Sequence, residues 1–184
     1  MTRKCLSVKA KEMDGLAGAI IMGTGTEASG TINAGLAFIN FLSFFHSDEY
    51  RSTMVRDMTY SAPYKQYDCT GATPDNSWLT KDVEIVKKYY SDPKCTYTFS
   101  LGAYRGLVES TKYDNDPANI AKMKKDLPVF FVSGACDPVG NMGKGVEAAR
   151  DKFVAAGMQD VSLKLYDNDR HEILNETDRE VVYE

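Results

Sequence analysis

Residues 127–174 read LPVFFVSGACDPVGNMGKGVEAARDKFVAAGMQDVSLKLYDNDRHEIL, and the architecture of the whole chain turns on them. Val129 to Ser133 is a continuous apolar and β-branched run between Pro128 and Gly134, the pattern of a strand buried on both faces of a parallel sheet. Asp137 follows at once. From about Asn141 to Ala156 the residues Met142, Val146, Ala149, Phe153 and Val154 recur at helical spacing, and Gly157 stands where a helix would stop. Val161 to Tyr166 alternates as a second strand, and His171 lies just beyond it. A strand, helix, strand unit of this length predicts a parallel crossover, which brings the carboxyl ends of both strands to one edge of the sheet. Neighbouring strands are about 5 Å apart, so Asp137 and His171 can meet there. A carboxylate that fixes a histidine tautomer and stabilises its imidazolium is the orienting half of a nucleophilic triad.

Outward from this unit, Thr2 to Met13 suits a short amphipathic helix ending near Asp14, and Leu16 to Met22 (LAGAIIM) a compact apolar strand punctuated by Gly23 and Gly25. Most aromatic residues then fall between Phe38 and Tyr104. Within that span, Ala37 to Phe45 and Asp82 to Tyr90 have helical spacing, while Gly71, Pro74 and Pro93 break it into pieces. The reading is a helical, aromatic-rich insertion over the carboxyl edge of the sheet; Tyr104 to Ala118 leads out of it, and Asn119 to Lys125 forms a short basic helix. Such an aromatic stripe is more often plain core than a ligand pocket; its position between two strand segments favours the other reading, a lid whose inner face takes an apolar chain. Thr177 and Glu180 are spaced as a capping box for a last helix.

The composition sets the frame. A chain of 184 residues, 43% of them hydrophobic, can bury a real core. A net charge of -4 without a sustained Lys/Arg block argues against a nucleic-acid binder. Cys5, Cys69, Cys95 and Cys136 are scattered, with no CxxC and no run of nearby histidines, so no metal site is expected; no cofactor is expected either. The opening residues lack the apolar core of a secretory signal and no stretch has the length of a membrane span, so a cytoplasmic chain is expected.

Several stretches carry a resemblance beyond what spacing supplies. They are DGLAGAIIMGTG, SWLTKDVEIVKKYYSDPKC with FSLGAYRGL after it, NIAKMKKDLPVFFVSGACDPVGNMGKGV, and VSLKLYDNDRHEILNETDREVVYE. Together they make the chain resemble the carboxyl-terminal portion of an α/β-hydrolase of the serine aminopeptidase type, in the branch of lysophospholipases and monoacylglycerol lipases. The resemblance implies Asp137 as triad acid, His171 as base, a lipid or small acyl ester as substrate, and the aromatic segment as cap. It makes Leu16 to Met22, Val129 to Ser133 and Val161 to Tyr166 the sixth, seventh and eighth strands. Residues 1–30 and 119–184 would then be hydrolase core, and 31–118 the cap with its connection.

The chain also departs from that pattern. No G-x-S-x-G elbow occurs in it, the first five strands and the oxyanion donors have no counterpart, and Asp167 to Arg170 replaces a glycine-containing turn before the histidine. A fragment inactive by itself is therefore expected. Cys136 is a poor substitute nucleophile because an adjacent carboxylate disfavours its thiolate. Ser133 reads as strand, Ser29 and Ser43 as loop or helix, and His46 as a solvated or capping side chain. Two further readings compete. Loss of neighbouring strands would leave Leu16 to Met22 with an open edge, suited to an interaction module that self-associates or pairs with another chain. Gly23, Gly25 and Ala28 after an apolar strand, with Asp48 and Glu49 beyond, fit a dinucleotide fingerprint, provided a helix begins at the second glycine and a strand ends at the acid.

Overall fold

The computed structural model describes residues 2–12 and 14–184. Three parallel strands form one sheet in the order β1 (Ala19–Met22), β2 (Val129–Gly134), β3 (Val161–Tyr166), with β2 in the middle. Ile21 pairs with Phe131, and Phe131 with Leu163. The central position explains the unbroken apolar run of β2, since both its faces are covered.

One face carries the main core. Phe131 and Phe153 meet edge to face at 5.1 Å, surrounded by Ile21, Val146, Ala149 and Leu6. Phe153, Val146 and Ala149 come from α7 (Lys144–Ala155), and Leu6 from α1 (Thr2–Val8). On the opposite face Val132, Tyr166 and Ile173 form a smaller cluster. The alternation of β3 follows: Leu163 and Leu165 pack on the α7 side, while Ser162 and Lys164 are exposed.

Helix α7 stops as the sequence predicts. Gly157 is left-handed (φ 85°), its N–H bonds Val154 O at 2.9 Å, and the Met158 N–H bonds Phe153 O at 3.2 Å. These two bonds make a Schellman cap, completed by burial of Met158 in the cluster that holds Phe153. The start of α7 differs from expectation. Asn141, Met142 and Gly143 all have positive φ (49°, 55° and 84°), so the turn read as helical from Asn141 is instead a left-handed loop. It folds back on the acid loop, the Met142 N–H bonding Asp137 O at 2.9 Å.

Between β1 and β2 the chain makes an excursion containing α2 (Ser29–Phe45), α3 (Thr53–Thr59), α4 (Val83–Ser91), α5 (Leu101–Asn115) and α6 (Pro117–Ile120). Helix α4 lies where its spacing predicts, with Asp82 as N-cap accepting the N–H groups of Glu84 and Ile85. Helix α2 begins two turns earlier than its apolar spacing indicates, because Ile32 and Ile39 are buried and tertiary packing carries the weak helix formers Gly30 and Gly35. Helix α5 occupies the segment read as a connection. Its Leu101 and Tyr104 cluster with Ile39 of α2 and Val55 of α3, and Ser100 caps it. The basic helix expected over Asn119 to Lys125 is replaced by α6, one turn started by Pro117.

At the amino end, α1 gives way to a 3-10 turn at Ala10–Glu12; Met1 and Met13, the latter counted in the expected helix, lie outside the described residues. Arg3 is 3% exposed and donates to Gly25 O (3.0 Å), Asp114 O (2.5 Å) and Asn115 Oδ1 (3.0 Å), tying α1 to the end of α5 and the loop after β1. At the carboxyl end, α8 (Glu180–Tyr183) has Arg179 as N-cap with no side-chain bond, so the capping box of Thr177 and Glu180 does not form. Among the described residues no helix is long and apolar enough to cross a membrane.

Candidate active site

The loop after β2 turns sharply and buries the Asp137 side chain completely. A carboxylate withdrawn from water needs donors, and Asp137 has three. Oδ1 accepts the Val139 N–H at 2.8 Å; Oδ2 accepts the Ser133 hydroxyl at 3.3 Å and faces Nδ1 of His171 at 3.0 Å. With an acceptor-only carboxylate opposite, Nδ1 carries the proton, which leaves Nε2 with a free lone pair. The imidazole keeps 29% of its side chain exposed.

The loop after β3 delivers the histidine. Asn168 adopts φ 63° and supplies the left-handed residue where the resemblance called for glycine, a conformation asparagine tolerates. The Ala135 N–H bonds Tyr166 O (2.9 Å) and the Cys136 N–H bonds Asp169 O (2.8 Å), so the histidine loop lies directly on the acid loop. Gly134 sits at that crossing, and a Cβ there would collide with the carbonyl oxygens of Asp169 and Arg170. Gly23, just beyond β1, lies close to the Cε1 and Nδ1 atoms of the imidazole.

The excursion reaches the same place. The N–H groups of His171 and Glu172 donate to Trp78 O (3.4 Å) and Leu79 O (2.8 Å). The Trp78 ring is 5.3 Å from the imidazole, with Tyr64 at 5.6 Å behind it. Trp78 Nε1 donates to the Tyr90 hydroxyl (3.2 Å), and the Tyr67 hydroxyl to Cys136 O (2.8 Å). Burial, followed by the negative charge of Asp137, pushes the Tyr64 phenol far above its usual range, so this wall is neutral and largely apolar. Sequence reading marks these aromatics as a group but gives no sign that Trp78, Tyr64 and Tyr67 are the ones at the histidine.

The other candidate residues lie apart from this arrangement or support it. Ser133 is buried within β2 and holds the acid, not the histidine. Ser29 starts α2, Ser43 donates to Ile39 O, and His46 stacks on Tyr50 at 4.0 Å. Asp48 follows helix α2, where the dinucleotide fingerprint needs a strand, and is gripped by the Arg105 guanidinium through two bonds of 2.8 Å. The carboxylates of Asp169, Glu176 and Asp178 converge within 4.8 Å. Their charge is met by Lys81, whose Nζ lies 2.7 Å from Asp169 and 3.0 Å from Asp178.

A buried acid oriented on a histidine at the carboxyl edge of a parallel sheet invites comparison with known hydrolases. The model of the family described as serine aminopeptidase, S33 matches residues 13–178. The chain belongs to this family. Among solved structures it is similar to a highly thermostable carboxyl esterase from Bacillus coagulans in complex with glycerol, at 22% identity and a TM-score of 0.79. It is similar also to a lipase in its open form (19%, 0.73) and to a soluble variant of monoglyceride lipase from Saccharomyces cerevisiae in complex with a substrate analog (22%, 0.63). Each alignment covers 98% of this chain but only 57–58% of the other, so the chain spans little more than half the length of these structures. They establish the α/β-hydrolase fold. No curated protein matches the sequence.

Proposed function

We propose that Asp137 and His171 are the acid and base of a serine-hydrolase triad, and that the chain is the carboxyl-terminal portion of an enzyme hydrolysing lipid or small acyl esters. The contact of a fully buried carboxylate with Nδ1 at 3.0 Å carries this reading, since it leaves Nε2 as the base. The nucleophilic serine and the oxyanion donors come from the part of the fold that this chain does not span. His171 Nε2 takes the serine proton as the serine oxygen attacks the ester carbonyl, then gives it to the leaving alcohol; water repeats the sequence to release the acid. Asp137 stabilises the imidazolium throughout. The helical excursion is the cap, and its aromatic wall of Trp78, Tyr64 and Tyr60 suits an acyl chain over a charged group.

The chain by itself should show no turnover of p-nitrophenyl esters and no covalent labelling by a fluorophosphonate probe. Stoichiometric labelling of a serine, located by peptide mass spectrometry, would place the nucleophile inside the chain and overturn this division of the triad.

A second reading is favoured by β1, whose only sheet partner among the described residues is β2. On it Ile20 and Met22 are 63% and 41% exposed. An unpaired strand edge with apolar side chains is a template for association. The chain should therefore elute on size exclusion as a concentration-dependent oligomer, and a clean monomer over a wide concentration range would remove this reading.

A further inference from the structure

We propose that Glu176 is a positioning residue for His171, locking the base to the segment Trp78–Lys81 in the middle of the excursion, just before α4; this rests on the reading of Asp137 and His171 as acid and base. Glu176 follows the 3-10 turn Ile173–Asn175 and its side chain is wholly buried. Oε1 accepts the backbone N–H of Arg170 at 2.7 Å. Oε2 accepts the backbone N–H of Lys81 at 2.8 Å and the Thr80 hydroxyl at 3.0 Å.

One carboxylate thus bridges the residue beside His171 and a backbone segment remote from it in sequence. A buried carboxyl group is tolerated only while its hydrogen-bond partners stay in place, so Glu176 holds both segments together or loses both sets of bonds. Two other side chains reinforce the seam. Lys81 Nζ pairs with Asp169, and the Arg170 guanidinium donates to the carbonyls of Asp75, Ser77 and Thr80. Because the Trp78 ring faces the imidazole across the same seam, displacement of that ring by an acyl chain would be transmitted to the base.

The two imidazoles can be read by long-range 1H–15N spectra of the labelled chain, with His46→Gln giving the assignment. In the parent, His171 should be mainly the Nδ1–H tautomer. Glu176→Gln keeps the volume but puts an NH2 where one backbone N–H must be accepted, so one segment loses its bond. The ratio of Nδ1–H to Nε2–H at His171 should then fall by about fivefold, the factor carried by one net hydrogen bond. Asp178→Asn, which removes only the exposed arm of Lys81, should leave the ratio unchanged. A purely structural Glu176 would lower the melting temperature of Glu176→Gln while its tautomer ratio stayed at the parent value, and that result overturns the proposal. If Glu176→Gln does not fold, Thr80→Val, which deletes the hydroxyl shared between Oε2 and Asn175 O, is read instead by the same criterion. A parent chain without the Nδ1–H preference would overturn the acid–base pairing itself, which is a separate failure.

Discussion

Gly134→Ala should lower the melting temperature by about 9 °C, the equivalent of about 3 kcal/mol in a domain of this size. Overpacking a core costs about 1–3 kcal/mol, and the upper end applies because the atoms in the way are backbone. A methyl on Gly134 would enter the carbonyl oxygens of Asp169 and Arg170, which cannot rotate aside as a side-chain tip would. Relief requires the histidine loop to lift from the acid loop, breaking the bond from the Cys136 N–H to Asp169 O. The substitution should therefore also weaken the 3.0 Å contact of Asp137 with His171, visible as a loss of the Nδ1–H tautomer. A melt within about 1 °C of the parent, well below the shift expected for 1 kcal/mol, would show that the two loops are not pressed together at this point.

Asp137→Asn should reduce kcat by about 10⁴-fold in an enzyme that carries the nucleophile, the loss this swap produces in a triad through the wrong tautomer. The geometry says why. If the asparagine carbonyl keeps the bond that Oδ1 accepts from the Val139 N–H, its NH2 replaces Oδ2 and points at His171 Nδ1. Nδ1 must then accept, the ring proton moves to Nε2, and Nε2 can no longer take a proton from serine. Such a factor corresponds to about 5.5 kcal/mol of barrier. Steady-state rates on a p-nitrophenyl ester, measured on a chain extended to include a G-x-S-x-G elbow, provide the check. A loss below about tenfold would mean that Asp137 does not set the tautomer and that the triad assignment fails.

Elements whose own side chains bury against one another were legible in the sequence. Strand β3 has the predicted bounds of Val161–Tyr166, and β2 extends one residue further, to Gly134. Helix α4 starts after the predicted Asp82. Elements that depend on remote partners were not legible. Helix α5 contains Gly102 and Gly106 and little amphipathic pattern, and it stands on packing against α2. The left-handed turn at Asn141 and Met142 breaks a spacing that looks helical, because its bonds lead back to the acid loop. Burial of charge was the least legible feature: Arg3 and Glu176 are both buried. Their partners are largely backbone groups from distant segments, which no local pattern encodes.

The sequence by itself determined that a parallel crossover would bring Asp137 and His171 to one edge, because strand and helix periods and the right-handed crossover rule are local or topological properties. Only the tertiary structure decided how the histidine is held. Trp78 beside the imidazole, Asn168 turning the loop, and Glu176 joining Arg170 to Lys81 depend on contacts between segments far apart in the chain. A buried carboxylate takes the position where its donors converge, and that convergence exists only once the chain has folded.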